Sequence, residues 1–233
     1  MKILLTLVLV LVLIGVVLGG GVWYFLNTGK QVGTEWSEED FYTCMEKSQV
    51  EFDHIETINL ETLAKGEYTA AGSNEVDTYF TSEEMSALSS MANAGGAVRD
   101  VQKSLGDNGA GEISFRLSDN AVDFVRQNIP PESIPDGAVG EIINVINNKP
   151  IYSSGRLTQA SENSINIDLD DMYLGRAPLP DDIVSIVEVE VEGVFNSVIT
   201  PDNGFHIDEL QINDGKLHYK GTLPETIEEK ISD

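Results

Sequence analysis

The sequence predicts an α+β protein: an N-terminal transmembrane helix followed by one domain that mixes amphipathic helices with half-buried strands. Three observations predict it. Ile3 to Leu26 form an apolar run without a charged side chain, Thr81-Ser82-Glu83-Glu84 opens an amphipathic helix, and from Ile113 onward apolar and polar residues alternate with period two.

At about 1.5 Å per residue, the apolar run is long enough to cross a hydrocarbon core about 30 Å thick. Only Lys2 separates it from the amino terminus, and Trp23, Tyr24 and Phe25 close it where amphipathic rings prefer the interface. A cleaved secretory signal is the alternative, with Gly19 and Gly21 as small residues at the cleavage site. A signal core spans about 7 to 15 residues, whereas apolar character here continues to Leu26, which favours an anchor. Cys44 lies too far beyond the run for lipid modification. The division is an anchor over 1–26, a polar tether over 27–36 and a single domain over 37–233. Lys2 before the run and Glu35, Glu38, Glu39 and Asp40 after it favour an inside amino terminus, against Lys30. The localisation this implies is the cell membrane, single-pass, with the domain extracytoplasmic.

The residues after the anchor suffice for one domain with its own core. A single cysteine excludes an intramolecular disulfide, so apolar burial holds the domain together. The net charge of −25, from 39 acidic and 14 basic residues, argues against nucleic acid as a partner and against adsorption to anionic headgroups.

Ser37-Glu38-Glu39-Asp40 places a hydroxyl at an N-cap and acids in the first turn, the pattern of a helix start. The helix opened by Thr81 carries Met85, Leu88 and Met91 as one stripe and ends before Gly95-Gly96. Residues 94–111, rich in Gly, Asp and Asn, read as a connection with a short helix around Val98 to Leu105. Ile113, Phe115 and Leu117 alternate with Glu112, Ser114 and Arg116 as a strand with one buried face. Val139 to Ile146 reads as a short helix after the prolines at 130, 131 and 135.

Ile151 to Leu157 and Ser164 to Tyr173 read as a hairpin, the second strand turning Ile165, Ile167 and Leu169 one way and Asn166, Asp168 and Asp170 the other. Between Asp181 and Thr200 two patterns compete. Ile183, Val187, Val191, Val194 and Val198 recur at near-helical spacing behind Asp181-Asp182, while Val187, Val189 and Val191 also alternate with Glu188, Glu190 and Glu192 as a strand would. Gly204 to Gly221 forms a last hairpin around Asn213-Asp214-Gly215.

Catalytic patterns are missing from the sequence. His54, His206 and His218 lack metal-ligand spacing, and no nucleophile elbow, phosphate loop or dinucleotide fingerprint occurs. Asp168, Asp170 and Asp171 lack the glycine turn and distal glutamate of a calcium loop and read as a solvated strand face. Trp23 and Trp36 lie outside any groove for a sugar. No enzyme, cofactor or metal is expected.

From Ile151 to Pro224 the elements run in a recognisable order: paired strands, Tyr173-Leu174-Gly175-Arg176-Ala177-Pro178-Leu179-Pro180, an apolar segment, then Asp208-Glu209-Leu210-Gln211-Ile212-Asn213-Asp214-Gly215-Lys216-Leu217 and a closing glycine. This order resembles the YpmS-type and LmeA-type bacterial envelope proteins of the tubular lipid-binding superfamily. The resemblance implies a curved antiparallel sheet wrapped around a long helix over Asp181 to Thr200, with an apolar tube between them. It implies acyl chains held by Met85, Leu88, Met91, Ile165, Ile167, Leu169, Ile183, Val187, Val194, Phe195, Val198, Phe205 and Ile207. Each buried methylene of such a chain contributes about 0.8 kcal/mol.

The expected function is a membrane-anchored, non-catalytic lipid-binding or lipid-handling protein. One alternative is a solid-core envelope assembly or protein-interaction module, marked by a surface patch instead of a tube. Another is an exported hydrolase whose site is scattered in sequence.

Overall fold

The computed structural model describes residues 29–53, 67–93, 98–118, 148–179 and 181–230, with no account of the side chains at 182, 183, 186 and 190. In chain order the elements are α1 (Glu38–Ser48), β1 (Glu51–Phe52), β2 (Tyr68–Ala71), β3 (Asn74–Thr81), α2 (Ser82–Ala92), β4 (Val98–Leu105) and β5 (Ala110–Leu117). They continue with β6 (Pro150–Ser161), β7 (Ser164–Leu174), β8 (Ala177–Pro178), α3 (Asp181–Val198), β9 (His206–Asn213), β10 (Lys216–Leu223) and β11 (Thr226–Glu229).

Both sequence-marked helix starts are capping boxes. The Ser37 hydroxyl accepts from the Asp40 amide while the Asp40 carboxylate accepts from Ser37, and Thr81 and Glu84 repeat the exchange. The turn joining β9 and β10 puts Asp214 at φ 50° and Gly215 at φ 73°, the left-handed pair that a two-residue hairpin loop requires. In β10, Gly221 stands at a bulge with φ 149°, where a Cβ would lie 1.8 Å from the His206 carbonyl oxygen, so only glycine fits.

Among the described residues strands predominate, and they divide among three sheets: β1-β11-β2, β3-β10-β9 and β4-β5-β6-β7-β8. This corrects the expected α+β architecture of one curved sheet wrapped around a long helix. Helix α3 does form over the contested segment, but among the strands of the five-stranded sheet it packs mainly on β7, along the sheet's edge. Val98 to Leu105, read as a connection with a helical turn, is strand β4, and β2 and β3 come from sequence that lacks a regular apolar alternation. The expected helix at Val139 to Ile146 lies outside the described residues.

The single-pass anchor and the cell-membrane localisation also require correction. Among the described residues no helix is long and apolar enough to cross a membrane. The longest of them, α3, carries Asp181, Asp182, Glu188, Glu190 and Glu192, charges that a hydrocarbon core disfavours. Ile3 to Leu26, which suggested the anchor, lies outside the described residues.

Residues 29–36, read as a tether, lie across one face of the five-stranded sheet. Lys30 donates to the Tyr152 hydroxyl on β6 and sits 3.9 Å from that ring's centroid, and the Val32 amide donates to Ser114 on β5 at 3.1 Å. The Gly33 amide then reaches Gln102 and the Thr34 hydroxyl the Lys103 carbonyl, both on β4. The main core joins α1, the sheet β3-β10-β9 and strand β7 of the five-stranded sheet through Cys44, Val76, Phe80, Ile165, Ile207 and Tyr219. A smaller cluster of Val50, Tyr68 and Ile227 sits under β1, β2 and β11.

Candidate functional site

The residues expected to line a tube fall into separate surroundings. Ile165 and Ile207 are buried in the main core, and Met85, Leu88 and Ile167 pack against that core. Val198 packs on the smaller cluster instead. Val187 and Val194 are buried on α3, Met91, Leu169 and Phe205 are half-buried, and Phe195 is 38% exposed. The side chain of Ile183 lies outside the description. Two depressions in the surface touch none of these residues. A small one, about 20 Å³, is lined by Gln102, Ser114 and Arg116 among others. The larger, about 330 Å³, lies where β6 meets β9 and is lined by Asn108, Thr158, Gln159, Gln211 and Asn213 over Leu157, Leu210 and Ile212.

The most organised feature is the treatment of the five-stranded sheet's two edges. An edge strand presents backbone N–H and C=O groups that need partners. At the β4 edge they meet serines of α2. Ser82 accepts from the Leu105 amide at 2.9 Å, Ser86 accepts from the Lys103 amide at 2.8 Å, and Ser90 donates to the Val101 carbonyl at 3.0 Å. At the β7 edge they meet α3. Glu188 accepts from the Leu169 amide at 2.7 Å, Glu192 from Ile167 at 2.9 Å and Asn196 from Ile165 at 2.8 Å, with the Asn196 amide returning a bond to the Ile165 carbonyl.

The spacing explains why each set works. Four helical residues advance about 6 Å and two strand residues about 6.7 Å, so side chains at every fourth helix position stay in step with alternate strand residues over two repeats. In both cases helix and strand numbers run oppositely, so the pairs are antiparallel. Strand β8 and the Leu179 that follows it cover Met172 to Leu174, which leaves the stretch from Ile165 to Leu169 to α3.

Side chains close other edges too. On β9 the Gln159 side chain imitates a strand, donating to the Ile207 carbonyl at 3.0 Å and accepting from the Leu210 amide at 3.0 Å. On β3 the Tyr79 carbonyl accepts from Lys47 at 2.9 Å.

Titratable groups are arranged for structure. Burial pushes the Cys44 thiol up to about 12, with Glu84 adding to it, so the sulfur remains a protonated, weak nucleophile. Burial lowers the Lys103 ammonium to about 8, although part of its surface is accessible. His218 stacks on Tyr79 with centroids 4.4 Å apart and lies between Asp77, at 2.9 Å, and Glu209, at 3.6 Å. His206 faces Asp208 at 3.2 Å, and His54 is outside the description. Among the described residues no group of three or more His, Cys, Asp or Glu side chains is placed to hold a metal ion. Asp168, Asp170 and Asp171 are exposed on β7, the solvated face that the alternation indicated.

Sequence reasoning missed the edge-closing residues. Their signal was the recurrence of Ser82, Ser86 and Ser90, and of Glu188, Glu192 and Asn196, at four-residue spacing. No family model matches the chain, and neither does any curated protein or solved structure.

Proposed function

We propose that this chain is a non-catalytic protein-recognition module with a closed core. The observation that carries the reading is the packing of Met85, Leu88, Ile165, Ile167 and Ile207 into one cluster, while the larger of the two depressions is lined by amide side chains over Leu157, Leu210 and Ile212. Acyl chains need a continuous apolar wall, whereas an extended polypeptide offers the mixture of amides and small apolar groups that such a depression accepts.

The test is to expose the purified full chain to total lipid extract and to a library of extended peptides. Amide chemical-shift changes at Gly109, Thr158 and Gln211, or along a sheet edge, on adding a peptide are expected. A stoichiometric lipid adduct seen by native mass spectrometry would overturn the reading in favour of lipid handling.

A further inference from the structure

We propose that the β7 edge is a latent strand-addition site, covered by α3 and opened by an extended partner segment that alternates apolar and basic residues. The inference rests on the recognition-module reading and names the partner's chemistry.

Helix α3 answers only part of what the edge presents. The Glu188 and Glu192 side-chain oxygens accept from the amides of Leu169 and Ile167, but no bond from these two side chains reaches the carbonyls that point the same way from those two residues. An added strand supplies both. The cover is also a poor helix by composition. Ile183, Val184, Ile186, Val187, Val189, Val191, Val194 and Val198 are β-branched, Gly193 sits inside it, Glu188 and Glu192 form a like-charged pair one turn apart, and its last turn holds no basic residue. The bonds that Glu188, Glu192 and Asn196 make to β7, together with the burial of Val184, Val187 and Val194, are what hold α3 in place.

The pattern of β7 specifies the occupant. Asp168 is exposed on one face and Asp170 is exposed at the bulge that follows Leu169, while Ile165, Ile167 and Leu169, at alternate positions, are buried or half-buried. An incoming strand meets those acids with its own alternate side chains, where opposite charges stabilise and like charges oppose pairing. Its remaining side chains replace the apolar cover lost with Val184, Val187 and Val194, all buried in the closed form. A second copy of β7 would set acids against acids, and the net charge of −25 opposes self-association as well. The same rule explains why the α3 segment does not itself pair as a strand: its glutamates would stand beside Asp168 and Asp170.

The test uses the full chain and the peptide Val-Lys-Val-Lys-Val-Lys-Val, with a control of equal composition whose lysines are contiguous. Fluorescence anisotropy is expected to show the alternating peptide binding at least about tenfold more tightly than the control. Hydrogen exchange is expected to show lost protection across 181–198 while the amides of Ile165, Ile167 and Leu169 stay protected. Equal binding of both peptides, or binding that leaves α3 protected, overturns the proposal. Glu188→Ala with Glu192→Ala is expected to raise affinity by about tenfold, since the cover loses its anchors. If that variant fails to fold, Asn196→Ala carries the test, and unchanged affinity in a folded Asn196→Ala counts against the proposal. Shifts confined to the depression around Gly109 and Gln211 would overturn the edge site and leave the recognition-module reading standing.

Discussion

Strands β4 and β7 both face a helix through side chains four residues apart, but α2 reaches its strand with three serine hydroxyls and α3 with two carboxylates and an amide. A serine oxygen lies one bond beyond Cβ, so α2 must sit close, and Ser86 and Ala87 are fully buried. A hydroxyl also donates and accepts, so Ser86 takes the Lys103 amide while giving its proton to the Ser82 carbonyl at 2.6 Å. A glutamate is longer, charged and able only to accept, and Glu188 and Glu192 remain half-buried. One edge is closed by contact and the other by reach.

That contrast is tested first where α2 is anchored. Glu84, 4% exposed, closes the capping box and receives Lys47 at 2.6 and 2.8 Å. Glu84→Ala is expected to lower unfolding free energy by about 3 kcal/mol in urea titration, because it removes a buried partner and a cap together. Ser86→Ala leaves the Lys103 amide without its acceptor in a dry contact. A loss of about 2 kcal/mol is expected, with faster exchange of that amide. Glu192→Ala is expected to cost about 1 kcal/mol or less, since water reaches the Ile167 amide once the carboxylate is gone. If Glu192→Ala costs more than Ser86→Ala, the contrast between the two edges is wrong.

The smallest effect is a pH slope on the β4 side. Lys103 titrates near 8 in the fold against an ordinary 10.5, so above pH 8 the unfolded chain binds more protons than the native one. Its contribution therefore makes stability rise as pH increases from about 8 toward 10.5. Cys44 acts oppositely above its ordinary 9.0, where an unfolded thiol ionises and the buried one does not. Thermal melts between pH 8 and 9 isolate the lysine, and Lys103→Met is expected to flatten that slope.

Much of the local structure was legible because it depends on neighbours in sequence. Ser37 with Asp40, Thr81 with Glu84, and Asn213-Asp214-Gly215 each encode a cap or turn within a few residues, and the β6–β7 hairpin follows from its alternation. Strand β4 was not legible. Its residues, Val-Arg-Asp-Val-Gln-Lys-Ser-Leu, have no clean period, because a bulge between Arg99 and Gln102 shifts the register and Asp100 adopts a φ of 54°. The α3 segment was ambiguous for a related reason. Its valines suit either structure, and the bonds that Glu188, Glu192 and Asn196 make to the β7 backbone, which no local pattern reveals, are available to it as a helix. Of the expected site, the core positions Ile165 and Ile207 were identifiable as buried. The serines and glutamates that close the edges were not identified, because their four-residue recurrence does not reveal the strand backbone groups they bond.

The segment from Gly29 to Thr34 has a mechanical consequence. It crosses β6, β5 and β4 in that order, touching each through a few polar contacts at right angles to the strands. Tension applied at Gly29 meets those contacts one after another, Lys30 on Tyr152 first and Thr34 on Lys103 last. Such loading peels the segment, so each step ruptures at low force, and the pull reaches α1 only after the whole strap has lifted. The sheet beneath is spared, because its strands are never sheared along their length.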